Sequence, residues 1–435
     1  MPRRLSNKKM LFFIGKVWYY FDVALSWQQR FLERMAFMKQ DWKNDISSIP
    51  FGPLGVIAMP GCEEMGEKIN SWLEKWHQEE LDEDLYSTTG KSHSSFLINA
   101  QCPRFGTGEG KGVIKETVRG YDIYIIVDVC AHNVTYKMYG EQVPMSPDNH
   151  FQDLKRIISA IGGKAKRITV IMPMLYESRQ HRRTSRESLD CAMALHELNG
   201  MGVDNILTFD AHDPRVANAI PLGGFESVMP TYQMLKALLR NVKDLSLDKD
   251  HLMFVSPDEG AMQRNIYYAS VLSLDLGMSY KRRDYSTVVN GRNPIVAHEY
   301  LGASVEGKDV IVVDDMISSG ESIIELAKEL KSRGANRIFA IATFGFFTNG
   351  LEEFSRAYAE GTIYRVITTN ATYRPPELKA APWYIEADIC KYISYLIATL
   401  NHDRSLSELL SPLKRIQNLV NNYREEQMRS GFRLV

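Results

Sequence analysis

The chain has 435 residues, 44% of them hydrophobic and 24% charged, with a formal net charge of −1. That length and apolar content suit two or three domains with large cores, and the balanced charge excludes bulk electrostatic attraction to nucleic acid or a membrane surface. The five cysteines (Cys62, Cys102, Cys130, Cys191, Cys390) are scattered, with no Cys-x-x-Cys pair. This speaks against a zinc site of ordinary spacing and against a disulfide framework, and it suits a reducing cytoplasm. The most apolar stretch, residues 10–27, contains Lys16 and Asp22, so no membrane span is expected, and no small-residue cleavage site accompanies it.

Residues 1–50 start basic and then carry Leu11, Phe12, Phe13, Trp18, Tyr19 and Tyr20. They read as an amphipathic docking or membrane-surface helix, or as an extension outside the fold with a start at Met35 or Met38. Residues 55–59 predict a short strand, and Gly61-Cys62-Glu63-Glu64-Met65-Gly66 leads into a helix with Met65, Ile69, Trp72, Leu73 and Trp76 on one face. Residues 79–95 are acidic and then Ser/Thr/Gly-rich, a solvated loop. Residues 105–110 form a flexible turn between two extended pieces, 121–129 a buried strand, 141–149 a loop carrying Pro144 and Pro147, and 151–160 a helix. After a buried strand at 167–173 comes Arg179-Gln180-His181-Arg182-Arg183, then Arg186. Such a run is usually a solvated face, but at a strand end of an α/β fold it is placed to grip phosphate. A helix over 191–198 stops at Gly200. The strand 205–209 ends in Asp210-Ala211-His212-Asp213-Pro214, where His beside carboxylates suits a metal or nucleotide contact, although a lone His is more often structural.

The second half repeats the alternation. A helix over 231–239 precedes a strand at 252–255 ending in Ser256-Pro257-Asp258-Glu259-Gly260, then a helix to Leu272 and a strand at 276–280 ending in Lys281-Arg282-Arg283-Asp284. Val310-Ile311-Val312-Val313 reads as a buried parallel strand, followed by Asp314 and Asp315, the turn Ser318-Ser319-Gly320-Glu321-Ser322, and a helix with Ile323, Ile324, Ala327 and Leu330 inside and Gly334 as its stop. Backbone N–H groups at such a helix start attract phosphate, and the two carboxylates suit a ribose diol or a bound Mg²⁺; an ordinary capped β-α turn is the plain alternative. Strands at 336–343 and 363–368, a helix at 388–400 and a charged helical tail complete the chain. The strand–helix pattern predicts two α/β domains on mostly parallel sheets, meeting near residues 225–230.

The stretch 310–322 resembles the ribose-phosphate-binding loop of the type I phosphoribosyltransferase fold, a hydrophobic strand, two acids and a Thr/Ser-Gly-x-Thr/Ser turn. From about residue 54 to 410, further clusters resemble, in order, those of the ribose-phosphate diphosphokinases. Phe105, Thr107 and Glu109 with Glu116-Thr117-Val118-Arg119-Gly120 resemble the adenine-binding hairpin and its Glu-Ser-Val-Arg-Gly run. Residues 176–183 resemble the Tyr-Ala-Arg-Gln-Asp loop that holds ATP, and Asp210-x-His212 the Asp-Leu-His signature. Ser256-Pro257-Asp258-x-Gly260 matches the family run, with Arg264 downstream, and Lys281-x-Arg283 resembles the Lys-Glu-Arg of the mobile catalytic loop. Thr343-Phe344-Gly345 and Thr369-Asn370 fall where the family has Thr-His-Gly and Thr-Asn. The departures are His181 for the usual Asp, Asp-Pro-Arg-Val after His212, Arg282 for Glu, Gly320-Glu321 in the phosphate loop, and an insertion between Cys130 and the Asp148-Asn149 region.

The resemblance implies two tandem phosphoribosyltransferase-like domains, each a mostly parallel sheet flanked by helices. The expected boundaries are an extension at 1–50, an ATP-side domain at 51–227, a ribose-5-phosphate domain at 228–385 and a helical segment at 386–435. It implies transfer of the diphosphoryl group of ATP to the C1 hydroxyl of ribose 5-phosphate, giving phosphoribosyl diphosphate and AMP for nucleotide biosynthesis. The implied roles are transition-state charge for Lys281 and Arg283, and ATP binding for Phe105, Thr107, Glu109, Arg179, Gln180 and His181. Ribose 5-phosphate falls to Asp314, Asp315, Ser318, Ser319, Gly320, Glu321 and Ser322, and Mg²⁺ to His212 and Asp258. A cytoplasmic homo-oligomer with no nucleic-acid or membrane partner is implied. The alternatives are a non-catalytic regulatory paralogue that binds nucleotide, and an ordinary phosphoribosyltransferase; the latter leaves the first half and its basic loop unexplained.

Overall fold

The chain enters its first sheet at β1 (Leu54–Ala58), an apolar run with its centre fully buried. The computed structural model describes residues 50–83, 95–283 and 295–431; the side chains of 80–83, 281–283, 295–299 and 430–431 lie outside that description, as does the predicted N-terminal amphipathic stretch. Gly61 takes φ 92°, the left-handed turn that glycine permits, and its N–H donates to Glu63 Oε2 at 2.9 Å. Helix α1 (Glu63–Glu83) follows, with Glu63 and Glu64 in its first turn, where the helix dipole favours acids. It runs into the stretch that the composition had marked as loop from residue 79.

The short strands β2 (Ala100–Gln101) and β3 (Val113–Ile114) pair antiparallel around the turn 105–110. After β4 (Asp122–Ile126), every residue of which is buried, come β5 (Thr135–Met138) and β6 (Glu141–Pro144), an antiparallel hairpin. This corrects the expectation of a loop over 141–149. Tyr139 and Gly140, at φ 49° and 90°, make the tight two-residue reversal, and Pro144 sits at the strand's last position, where no further ladder bond is asked of it. Helix α2 (Pro147–Ile161) starts earlier than predicted because Ser146 Oγ accepts from Asn149 N and Pro147 occupies the first turn. Strand β7 (Arg167–Ile171), helix α3 (Asp190–Gly200), β8 (Asn205–Phe209) and β9 (Gly224–Val228) finish this half. The sheet runs β1-β4-β7-β8-β9, all parallel. Strand β9 falls where the sequence predicts only a domain junction; its partly exposed Gly-Phe-Glu-Ser start lacks the apolar run that marks an interior strand.

The second half begins with α4 (Thr231–Asn241), β10 (Leu252–Ser256), α5 (Met262–Leu272) and β11 (Asp275–Arg283). Then come β12 (Ile295–Leu301), β13 (Asp309–Ile317), α6 (Glu321–Ser332), β14 (Ile338–Gly345), α7 (Glu352–Ala359) and β15 (Arg365–Thr369). The chain ends through α8 (Pro376–Ala380), β16 (Tyr384–Ala387), α9 (Cys390–Asn401), α10 (Ser407–Leu410) and α11 (Leu413–Gly431). The sheet order is β12-β11-β10-β13-β14-β15-β16, parallel except for β12 against β11. Apolar clusters cover both of its faces, one around Phe254, Ile311, Phe339 and Ile416, the other around Val312, Leu330, Phe354 and Trp383. No described helix is long and apolar enough to cross a membrane.

The halves are locked together from behind. Helix α9 lies against α1, with Trp76 and Tyr395 stacked at 4.5 Å between centroids. Arg167 makes a forked pair with the buried Asp122, which also accepts from Asn401 Nδ2 at 3.0 Å. Asp128, 3% exposed, accepts from Cys130 N and, across the seam, from Tyr373 N at 2.8 Å. Burial is the dominant influence on its carboxyl and pushes it up to about 6. An acid whose folded value exceeds its unfolded one is fully stabilising only below the unfolded value, and loses that stability as pH rises through the folded one. The stability difference between wild type and Asp128→Asn should therefore shift by about 3 kcal/mol against the wild type between roughly pH 4 and pH 7, read from urea midpoints. A pH-independent difference would show that Asp128 is ionised at no cost.

Candidate functional site

The site grows from the end of β13. The sequence places Asp314 and Asp315 beyond the strand, but β13 continues through them to Ile317, with Asp314 beside Ala342 and Met316 beside Phe344 of β14. The two carboxyls lie against each other but in different surroundings. Asp315 is 5% exposed and its Oδ2 lies 2.6 Å from His212 Nδ1; with a carboxylate as acceptor, the donor is Nδ1–H. Burial alone would raise the Asp315 carboxyl, but the His212 hydrogen bond and the charge of Arg264 outweigh it and hold it below the usual carboxylate range. Burial and the neighbouring Asp315 charge drive Asp314 the other way, well above that range. The bond to Asp315 raises His212 against the opposing effect of burial.

His212 comes from the other half, just past β8. There Asp210 holds a left-handed backbone, φ 43°, uncommon for a residue with a Cβ. Arg264, in the first turn of α5, grips the Asp210 carboxylate through Nη2 at 2.7 Å and Nε at 3.0 Å. Thr343 Oγ1, on β14, donates to the same carboxylate at 2.6 Å. The next turn residue, Asn265, donates from Nδ2 to Val313 O at 2.7 Å and so bolts α5 to β13. Arg264 thus stands as a nearly buried cation, 11% exposed, acting on Asp210, Asp314 and Asp315.

His181, from the basic loop, packs its ring edge-on to His212 at 5.2 Å between centroids, with Nε2 3.6 Å from Asp213 Oδ2. Three groups assigned by sequence to different ligands (His181 to ATP, His212 to metal, Asp315 to ribose) therefore meet at one point. Arg179 and Gln180 precede it in a single 3-10 turn, Ser178–Gln180, with Arg179 exposed. Asp258 was paired with His212 by sequence. Its Oδ1 accepts from Ala261 N at 2.9 Å just ahead of α5, and His212 Nδ1 lies against Asp315. Phe105, Thr107 and Glu109 share one hairpin tip, where Phe105 N donates to Glu109 O at 2.7 Å and Thr107 Oγ1 to Glu109 Oε2 at 2.9 Å.

Ser318, Ser319 and Gly320 form the turn into α6. Gly320 sits at φ 90° before the first helical residue, and a Cβ there would run into the Phe354 ring. Ser319 and Ser318 are half-buried, Glu321 and Ser322 exposed in the first turn, and Glu321 Oε1 accepts from Asn349 Nδ2 at 3.1 Å. The backbone of Lys281 and Arg283 belongs to β11, opposite His298 and Ile295 of β12, with a register irregularity between Arg282 and Arg283. Their side chains, and residues 284–294, lie outside the described residues. Sequence reading assigned no role to Asp210, Arg264 or Thr343, since no local spacing marks a bond between groups 54 or 133 residues apart.

Residues 55–202 match the family model of the N-terminal domain of ribose phosphate pyrophosphokinase, and residues 227–368 that of the phosphoribosyl transferase domain. Among curated relatives, the ribose-phosphate pyrophosphokinase of Vibrio parahaemolyticus is 28% identical over 318 residues, 72% of this chain and 92% of its own. That of Pasteurella multocida is 28% identical over 337 residues, 76% of this chain and 94% of its own. The ribose-phosphate pyrophosphokinase A of Dictyostelium discoideum is 24% identical over 356 residues, 80% of this chain and all of its own. The crystal structure of phosphoribosylpyrophosphate synthetase from Mycobacterium smegmatis shares the fold, with a TM-score of 0.62 at 21% identity over 80% of this chain and 99% of that one. The first matched segment holds three strands of the five-stranded sheet and the second most of the seven-stranded one, so the fold is a tandem pair of phosphoribosyltransferase-type domains and the chain belongs to the ribose-phosphate pyrophosphokinase family.

Proposed function

We propose that the protein is a ribose-phosphate diphosphokinase, moving the β,γ-diphosphoryl group of ATP to the C1 hydroxyl of ribose 5-phosphate and releasing AMP. The observation that carries this reading to these residues is the 2.6 Å contact of His212 with Asp315. It brings the half with the basic ATP-side loop against the acidic pair and the phosphate turn of the other half.

In this assignment, Ser318–Ser322 and the N–H groups opening α6 bind the 5-phosphate, and Asp314 and Asp315 hold the ribose hydroxyls. Arg179, Gln180 and His181 grip the ATP phosphates, and Phe105 and Glu109 receive the adenine. In-line attack at the β-phosphorus needs little covalent chemistry from the protein, so catalysis is positioning plus cationic stabilisation of the equatorial oxygens by Lys281 and Arg283. Among the described residues no three His, Cys, Asp or Glu side chains form a metal-ligand group. Adjacent carboxyls nonetheless fit Mg²⁺, an ion that takes one or two protein oxygens and completes its shell from water and substrate. Bound there with His212 alongside, Mg²⁺ would neutralise phosphate oxygens during transfer. We place the enzyme in the cytoplasm as a homo-oligomer.

The test is AMP formation from Mg-ATP and ribose 5-phosphate by the purified full chain. AMP in step with phosphoribosyl diphosphate supports the assignment. Nucleotide binding without AMP would turn the reading to a non-catalytic paralogue, and diphosphate release that requires a free base to a phosphoribosyltransferase. Within the same assay, Gly320→Ala is expected to raise KM for ribose 5-phosphate more than tenfold. The new methyl group meets Phe354 at a backbone angle that side chains avoid, and the turn must move. An unchanged KM would remove this turn from the phosphate site.

A further inference from the structure

The hairpin β5–β6 lies between Cys130 and Asp148, where the sequence resemblance to the family is interrupted. Its tip is built against the grain. Tyr139 opens the two-residue turn at φ 49°, followed by Gly140 at φ 90°. Asn, Asp or Gly fits that first position, and an aromatic residue with a Cβ is strained there. The Tyr139 ring earns no burial in return, being 79% exposed.

The tip is held against the hairpin that carries Phe105. Tyr139 N donates to Gly106 O at 2.8 Å, placing the turn beside the residue next to Phe105, itself 56% exposed. Met138 fills the space over Gly108, where a Cβ would lie 2.8 Å from its sulfur. Arg104 sits over the Tyr136 ring at 4.8 Å and pairs with the buried Asp153 at 2.7 Å, tying both hairpins to α2. Two exposed aromatic rings are thus anchored on neighbouring backbone, beside a Thr107–Glu109 pair able to accept and donate along the edge of a flat ligand.

We propose that Tyr139 forms a second aromatic wall of the base site, bracketing with Phe105 the adenine of ATP. The inference rests on the assignment of the Phe105 hairpin to adenine. Exposed rings on a rigid support stack on a base at little ordering cost, which gives a reason for placing Tyr where Asn would make the better turn.

The experiment uses the full chain with Tyr139→Asn, Tyr139→Phe and Phe105→Ala. It measures KM for ATP, titration with a non-hydrolysable ATP analogue, thermal midpoint and mass by light scattering. Tyr139→Asn is expected to weaken ATP roughly five- to thirtyfold while its midpoint stays level or rises and ribose 5-phosphate KM stays within twofold. Tyr139→Phe should bind like the wild type. Weakening by Phe105→Ala without weakening by Tyr139→Asn overturns the role of Tyr139 and leaves the adenine hairpin standing. If neither variant weakens nucleotide binding, the hairpin is not the base site and both readings fall. A smaller assembly in Tyr139→Asn with unchanged analogue binding makes the tip a subunit contact and overturns the proposal.

Discussion

Lys281→Ala is expected to lower turnover by two to three orders of magnitude and leave KM for ribose 5-phosphate within a few-fold of wild type. The ribose 5-phosphate contacts assigned here lie on β13 and the α6 turn, so removing a side chain from the end of β11 leaves them in place. What is lost is a cation facing charge that develops only during transfer, and such a contact is worth ~3–4 kcal/mol in the transition state and little in the ground state. The backbone of Lys281 lies near the end of β11, opposite His298 of β12. Steady-state and single-turnover AMP formation would measure the effect. Near-normal turnover would remove Lys281 from the catalytic assignment, and a matched rise in KM with turnover kept would make it a binding residue only.

Arg264→Met should be the most damaging change outside the ligand contacts. It leaves Asp210, 3% exposed, without its forked cation and removes the Arg264 charge that acts on Asp314 and Asp315, and breaking a buried pair from one side costs ~3–5 kcal/mol. Asp210→Asn keeps a residue that tolerates the left-handed backbone but strips Arg264 of its forked partner, and should cost a similar amount. Because the two losses describe one interaction, the double variant should lose much less than their sum, measured from urea midpoints at unchanged slope. Additive losses below about 1 kcal/mol each would mean that water replaces the pair. A functional loss is expected in parallel, since Asp210 and Thr343 set the strand end from which His212 reaches Asp315.

The parts of the molecule readable in advance are those written in neighbouring residues. Val310 to Val313 announce a buried strand because a parallel sheet covered on both faces needs apolar side chains in unbroken succession. Gly320 and the apolar spacing from Ile323 to Leu330 mark the turn and the inward helix face in the same way. The ordered clusters at Asp210, Asp258, Lys281 and Asp314 were enough to point to the family. Short or half-exposed elements were not legible. The β5–β6 hairpin was hidden behind Pro144 and Pro147, β9 behind its half-exposed Gly-Phe-Glu-Ser start, and β16 by its length of four residues.

The site was only partly written in the sequence. Local pattern gives residue type and the loop on which it sits, so Asp315, His212 and His181 each read as a candidate ligand group. Their meeting was not, since His212 and Asp315 are 103 residues apart and nothing along the chain encodes their proximity. The docking of the two sheets decides it, and with it which acid of the pair ionises, because protonation follows burial and the nearest charge. The sequence by itself determined the two parallel-sheet halves and the turn at Gly320, through short-range sterics and hydrophobic period. The tertiary structure alone decided that Arg264 grips Asp210 beside the acidic pair and that His212 meets Asp315, because those contacts exist only once the seam between the halves has closed.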